Sequence, residues 1–279
     1  MDFGEIIGYG FMQRALIAGT LIAALCAVLG VFLVLRRFSL IGDGLAHVTF
    51  GGVAIALFLR VDPVYTAVAA IPVVLLSSLG ILKLTEKARI YGDAAIGIVS
   101  SFGIACGILL ASAAGGVNVD LLSFLFGSIL SISRDELLIA VALFGVVIAT
   151  VVFFYNELFA ITFDEELARS SGIKTGRING LLVMLTALTV VLAMKLVGIM
   201  LISALLIVPA VTALQVARGF RTTILAAAGF AVSSVVAGIF LSFVMNLPAG
   251  GAIVIINIIL FVIAYSFRKM RMPGGRSSS

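Results

Sequence analysis

The only histidine of the chain, His47, follows Asp43 by four residues in the stretch SLIGDGLAH, at the head of a long apolar segment. On a helix, residues i and i+4 share a face, so this carboxylate and imidazole would point the same way. Ionisable side chains are expensive inside a bilayer and mark ion pathways or proton relays where they occur. A carboxylate beside an imidazole suits a divalent transition metal ion such as zinc, manganese or iron. Two ligands are too few for a tight structural site, which fits a pathway that must release what it binds. A second subunit, a backbone carbonyl or water would complete the shell. Two plainer readings compete: Asp43 as a helix N-cap, and His47 as a buried imidazole satisfied by a carbonyl.

Other candidates carry less. Asp93 opens an apolar run and reads most simply as an N-cap. Pro209, inside ISALLIVPAVTALQ, removes a helical hydrogen bond and predicts a kink of the kind that lines pathways. The chain has no GxxxxGK[ST] phosphate loop, no HExxH and no GxSxG. Gly42-Asp43 matches only part of the GxGD of intramembrane aspartyl proteases, because Leu40 stands where the first glycine belongs. Cys26 and Cys106 both lie in apolar runs, as small hydrophobes rather than as a disulfide or metal pair.

The elements that must hold Asp43 and His47 are membrane spans. Of the 279 residues, 62% are hydrophobic and 11% charged, with a mean hydropathy of +1.30, a composition of integral membrane proteins. The formal charge of +5 fits basic cytoplasmic loops, and without a basic run interleaved with aromatics nucleic acid is not expected as a partner. The N-terminal stretch begins with acids and does not read as a cleaved signal peptide. Residues 2–12 read as a short interfacial helix.

Apolar runs near span length lie at 13–35, 41–59, 63–82, 94–114, 135–155, 178–195, 198–216, 222–245 and 251–267. A shorter run, 120–132, could be a span, a re-entrant segment or a surface helix. Charge decides. With nine spans and the N-terminus outside, only Arg14, Arg60, Arg134 and Lys195 are left on the outer side. A full span at 120–132 would move Arg36, Arg37, Lys83, Lys87 and Arg89 outward, so the nine-span topology is preferred. Residues 1–267 then form one transmembrane domain, and 268–279 a cytoplasmic tail ending in a disordered MPGGRSSS.

The longest polar interruption is NELFAITFDEELARSSGIKTGR, residues 156–177. Its middle, Asp164 to Ser170, reads as one or two helical turns, with acids at the start and Arg169 toward the end, as the helix dipole favours. Phe163, Leu167 and Ile173 offer apolar faces, and Gly172 is placed to stop the turn. Corners follow at Val61-Asp62-Pro63 and at Asn246 to Gly251. Gly51, Gly52, Gly103 and Gly107 would let helices approach closely.

Four separated stretches, GVFLVLRRFSLIGDGLAHVTFGG (30–52), YGDAAIGIVSS (91–101), FDEELARSSGI (163–173) and VGIMLISALLIVPAVTA (197–213), together resemble the zinc and manganese permease family of bacterial ABC importers. The resemblance implies a homodimeric, all-α polytopic permease related in fold to the vitamin B12 and siderophore importers. It also implies a short helix at an external gate, which would suit 120–132. Cytoplasmic ATP-binding subunits would hydrolyse ATP and an extracellular or periplasmic metal-binding protein would deliver the ion. Asp43 and His47 match the GDxxxH motif taken as metal ligands in that family. The ATPase coupling helix carries over to Asp164, Glu165, Glu166, Leu167, Ala168, Arg169 and Gly172. One tension follows: the charge-derived topology puts Asp43 and His47 in the inner half of the second span, deep for a captured ion. An ATP-independent metal or proton-coupled carrier is a second class, weakened because no inverted repeat is evident; a chelate cargo is a third.

Overall fold

The computed structural model describes residues 9–61, 66–86, 88, 90–113 and 132–271. Eleven helices follow one another in these residues: α1 Gly10–Leu35, α2 Ile41–Phe58, α3 Thr66–Glu86, α4 Gly92–Ala113, α5 Arg134–Phe153, α6 Tyr155–Phe163, α7 Glu165–Ser170, α8 Thr175–Val197, α9 Ile199–Val216, α10 Phe220–Met245 and α11 Ala249–Arg271. Every apolar run that the sequence marks as a span is a helix. Eight are long and apolar enough to cross a membrane, and α9, with its apolar stretch Leu201–Val216, is shorter.

Backbone polarity explains the architecture: in lipid each amide must be satisfied within its own segment, which helices accomplish. Side-chain hydroxyls follow the same rule. Thr49, Thr186, Thr189 and Thr212 each donate to the carbonyl four residues earlier, so buried polar atoms cost little.

α1 and α8 form the centre of the bundle and are buried along most of their length, while α4, α5 and α11 carry wide exposed apolar faces. Phe102, Leu109, Val152 and Ile255 are among the side chains left open there. A bilayer or another chain must cover such faces.

Contacts between distant residues establish which helix ends meet. Arg36, Glu86, Glu165 and Asn179 join the ends of α1, α3, α7 and α8. Phe220, at the start of α10, packs against Phe32, Tyr155, Phe159 and Phe163 with ring centroids 5.3, 6.0, 5.1 and 5.6 Å away. Arg268 donates to Gln215 at 2.6 Å, bringing the ends of α9 and α11 together. At the opposite end Arg14 donates to the Ile132 carbonyl at 2.8 Å, and Phe11 packs near Phe243. α2 and α4 run parallel, since Gly44 faces Ile96 and Gly51 faces Gly103. Ala113 and Ile132 therefore lie at the same, Arg14 end of the bundle.

The α2–α4 seam explains its glycines. A Cβ on Gly51 would come 2.6 Å from the Gly103 carbonyl oxygen, and one on Gly103 2.8 Å from the Val48 Cα. Neither position has room for a side chain, so the two backbones touch along a face of α2 that adjoins the one carrying Asp43 and His47.

The first part of the polar interruption 156–177 forms a helix of its own: α5 stops at Phe153 and α6 continues from Tyr155, because Phe159, Phe163 and Phe220 give that segment an aromatic anchor. Asp93 is not an N-cap but lies within the first turn of α4, which starts at Gly92. Residues 2–8 of the expected interfacial helix, Asp62-Pro63, residues 120–131 of the short apolar run and the tail 272–279 lie outside the described residues.

Candidate metal site and coupling helix

Asp43 is the third residue of α2, whose N-cap is Leu40, and no side chain caps this helix. The capping reading of Asp43 therefore fails. Its carboxylate turns sideways, as the i, i+4 spacing requires: Oδ2 lies 3.5 Å from His47 Nε2. Oδ1 accepts a hydrogen bond of 3.3 Å from Ser203 Oγ of α9. Both distances are long for hydrogen bonds, so the pair is held loosely. The side chains are 49% and 32% exposed, while Ile41, Leu45, Ala46, Val48 and Thr49 around them are buried. One face of α2 thus leaves an acid and an imidazole partly exposed among buried neighbours.

Ser203 also fixes depth. α9 ends at Gln215 and Val216, at the Arg36 end, so it begins at the opposite end, and Ser203 is only about 6 Å along its axis from that beginning. α2 begins from the Arg36 side, yet its third residue reaches Ser203. Just below, Leu206 lies against both Gly30 and Gly42. Asp43 therefore sits between helices that enter from opposite ends, and because Leu206 meets Gly30 near the Leu35 end of α1, the pair lies in the Arg36 half of that helix.

Pro209 lies inside α9 without ending it. It removes the amide that would bond the Leu205 carbonyl, two residues beyond Ser203. Among the described residues no third His, Cys, Asp or Glu joins Asp43 and His47 in a metal-binding group.

The expected coupling helix is α7. Asp164 is its N-cap and accepts from the Leu167 amide at 2.9 Å. Glu165 and Glu166 fill the first turn and Arg169 the last, complementing the dipole. Gly172 has φ +88°, and the Gly172 and Ile173 amides return to the Arg169 and Ala168 carbonyls, closing the turn as a glycine C-terminal motif does. Ala168 is buried, whereas Phe163 and Leu167 are more than half exposed. An apolar pair therefore projects outward beside the exposed Glu166.

Sequence reasoning missed the anchor of this helix. Glu165 points inward: Oε2 accepts from Arg36 Nη2 at 2.9 Å, and Oε1 from Asn179 Nδ2 at 3.1 Å. Arg36 Nη1 donates to Asn179 Oδ1 at 2.7 Å, and Asn179 Nδ2 also donates to Glu86 Oε1 at 3.1 Å. Arg169 Nη2 lies 3.5 Å from Glu165 Oε1. Burial pulls the Arg36 guanidinium below its ordinary value, and Glu165, then Glu86, push it back up. The only available signal was an arginine pair directly after an apolar span, a pattern that reads equally well as a positive-inside flank.

The full-length likenesses agree with this geometry. The chain is 33% identical over 265 residues to the manganese transport system membrane protein MntC of Halalkalibacterium halodurans, covering 95% of this chain and 90% of that one. It is 33% identical over 258 residues to the high-affinity zinc uptake system membrane protein ZnuB of Haemophilus influenzae, covering 92% and 97%. The structure of PsaBC from Streptococcus pneumoniae in complex with Fab superposes with a TM-score of 0.83 at 31% identity, covering 97% of this chain and 100% of that one. An ABC transporter described as of the metal-chelate type, in an inward-facing conformation, shares the fold at a TM-score of 0.74 and 17% identity, covering 94% and 88%. A family model described as the ABC 3 transport family matches residues 8–268, nearly the whole all-helical bundle that carries Asp43, His47 and α7, and the chain belongs to that family.

Proposed function

We propose that this chain is the membrane-spanning permease subunit of an ATP-driven importer for a divalent transition metal ion, zinc or manganese, with iron also admitted by the ligand pair. The observation that carries this reading is the Asp43 and His47 pair, 3.5 Å apart on the open face of α2, in a chain of the ABC 3 transport family. A carboxylate oxygen and an imidazole nitrogen at this spacing can both reach one ion. Ser203 holds the carboxylate by a single weak bond, which leaves it free to turn toward a cation. With two protein ligands the ion is held weakly enough to move on.

The permease works as a homodimer in the bacterial cell membrane, where the exposed faces of α4, α5 and α11 meet lipid or the second copy. Two copies of the Asp43 and His47 pair would face one pathway. The basic Arg36 end lies in the cytoplasm, which places the C-terminus inside and the N-terminus outside. ATP is bound and hydrolysed by separate cytoplasmic subunits that dock on α7 through Phe163, Leu167 and Glu166. A metal-binding protein, extracellular or periplasmic, releases its ion at the Arg14 end. Movement of α7 on ATP binding switches access to Asp43 and His47 from one side of the membrane to the other.

The test is uptake of manganese or zinc by a metal-starved bacterial strain lacking its own importers and carrying this permease with its ATP-binding and metal-delivering partners. Uptake that needs ATP hydrolysis and is blocked by a competing divalent ion supports the reading. Metal transport by the permease reconstituted without any ATPase would overturn it in favour of an autonomous carrier.

A further inference from the structure

The two functional regions lie on separate elements, and one buried side chain joins them. Arg36 ends α1 as its C-cap, and its side chain is only 8% exposed. Its guanidinium holds Glu165 of α7 and Asn179 of α8 at once, and Asn179, 2% exposed, extends the link to Glu86 of α3. Glu165 is fully engaged, one oxygen on Arg36 and the other on Asn179. The cluster balances two carboxylates, Glu86 and Glu165, against Arg36 and Arg169.

From Arg36 the chain passes to α2 through a short corner in which the Arg36, Arg37, Phe38 and Ile41 amides are tied to nearby carbonyls. The Arg36 amide bonds the Phe32 carbonyl, Arg37 that of Val34, Phe38 that of Leu33, and Ile41 that of Phe38. Arg37 has φ +61°, a conformation that L-residues rarely adopt and that persists only where surrounding structure imposes it. The Phe38 ring lies 6.0 Å from the Arg36 guanidinium and meets Gly92 at the start of α4. These bonds tie the Arg36 end of α1 to Ile41, two residues before Asp43.

Buried ion pairs contribute little net stability, because desolvation consumes most of the attraction, and switching is their better attested use. Removing one partner, however, strands the other. We propose that Arg36 is the positioning residue that transmits the movement of α7 into α2, so that nucleotide-driven displacement at Glu165 is felt at Asp43. This rests on the permease reading above and adds the route by which its two ends communicate. A planar guanidinium suits the task, since it bonds a carboxylate and an amide in fixed directions at once, which a lysine ammonium does not.

The experiment uses the complete complex with its ATP-binding and metal-delivering partners in liposomes, supplied with manganese or zinc, and reads ions taken up per ATP hydrolysed. Arg36→Gln is expected to assemble and to keep basal ATP hydrolysis, while ions per ATP fall about fivefold or more. Arg36→Lys, which keeps the charge and loses the fork, should fall in between. Glu165→Gln, which removes the other half of the Arg36 ion pair, provides a second route to the same drop if Arg36→Gln does not accumulate. An unchanged ratio in folded Arg36→Gln or Glu165→Gln complexes would overturn the proposal, as would a fall in uptake matched by equal loss of assembly. A wild-type complex that transports without ATP would instead overturn the permease reading itself.

Discussion

His47 Nε2 and Asp43 Oδ2 stand 3.5 Å apart across one turn of α2, both partly open while their helical neighbours are buried. This spacing is too long for a strong charge-assisted hydrogen bond, yet short enough for both atoms to bind one cation. Under the proposed function, replacing either Asp43 or His47 with alanine removes one of the two metal ligands while the buried neighbours on α2 stay in place. We expect Asp43→Ala and His47→Ala each to reduce metal uptake by about tenfold or more, the scale of disrupting a metal's support, with expression and ATPase assembly unchanged. Uptake assays beside a pull-down of the ATP-binding subunit separate these effects. Full uptake in both variants would remove the pair from the pathway.

Ser203 contributes one long hydrogen bond to Asp43. The loss of such a bond costs about 1 kcal/mol, so Ser203→Ala should weaken apparent metal affinity by roughly fivefold and leave maximal uptake nearly intact. A concentration series of uptake distinguishes this from the ligand variants, which should lose maximal rate. An effect as large as that of Asp43→Ala would promote Ser203 from support to ligand.

The difference between what was legible and what was not follows the range of the interactions. Asp43 and His47 interact across one helical turn, and the Asp164 cap, Arg169 and Gly172 act within nine residues, so residue types and spacing reveal them. The apolar runs are legible because lipid demands a span length regardless of fold. Ser203 is 160 residues from Asp43, and Arg36 is 129 from Glu165 and 143 from Asn179. No local pattern encodes such meetings. The α6 helix is not legible in the polar interruption because it is held by Phe220 from another element, which outweighs the polar Asn156 and Glu157.

The α2–α4 seam predicts a stability effect with an internal control. Gly103→Leu would force a side chain against the Val48 backbone 2.8 Å from its Cβ, and overpacking of this kind costs about 1–3 kcal/mol. Gly145→Ala, where a Cβ would meet nothing within 4 Å, should not destabilise α5 and should favour its helix slightly. Thermal unfolding of the two variants in detergent checks the pair. Equal melting temperatures would mean that α2 and α4 do not meet as closely as Gly51 and Gly103 require.

Asp164 caps α7 through a single bond to the Leu167 amide. Asp164→Ala should cost about 1 kcal/mol locally, speeding amide hydrogen exchange over residues 165–170 while the spans stay protected. Leu167→Ala should do the reverse: its side chain is 64% exposed, so exchange stays as it is while binding of the ATP-binding subunit weakens. Measuring exchange and binding in both variants separates the shape of α7 from its contact surface. A Leu167→Ala protein that binds its ATPase with full affinity would remove that side chain from the docking face.

Gly198 alone separates α8 from α9. Its φ of +83° with ψ of +161° falls in a region that is essentially restricted to glycine. The Gly198 amide still bonds the Met194 carbonyl, and its own carbonyl accepts from Ile202, so the chain reverses at one residue without losing its hydrogen bonds. An alanine there costs about 1–3 kcal/mol if the geometry is kept. The alternative is for α9 to rotate about its first turn, which carries Ser203, five residues on, away from Asp43. Gly198→Ala should therefore lower the melting temperature and also weaken metal affinity as Ser203→Ala does. Gly172→Ala has a comparable positive φ of +88° but lies outside the spans at the end of α7, so it should leave metal affinity alone. Binding assays on the two glycine variants at a temperature where both stay folded give the comparison. If Gly198→Ala binds metal normally, the start of α9 does not set the position of Ser203.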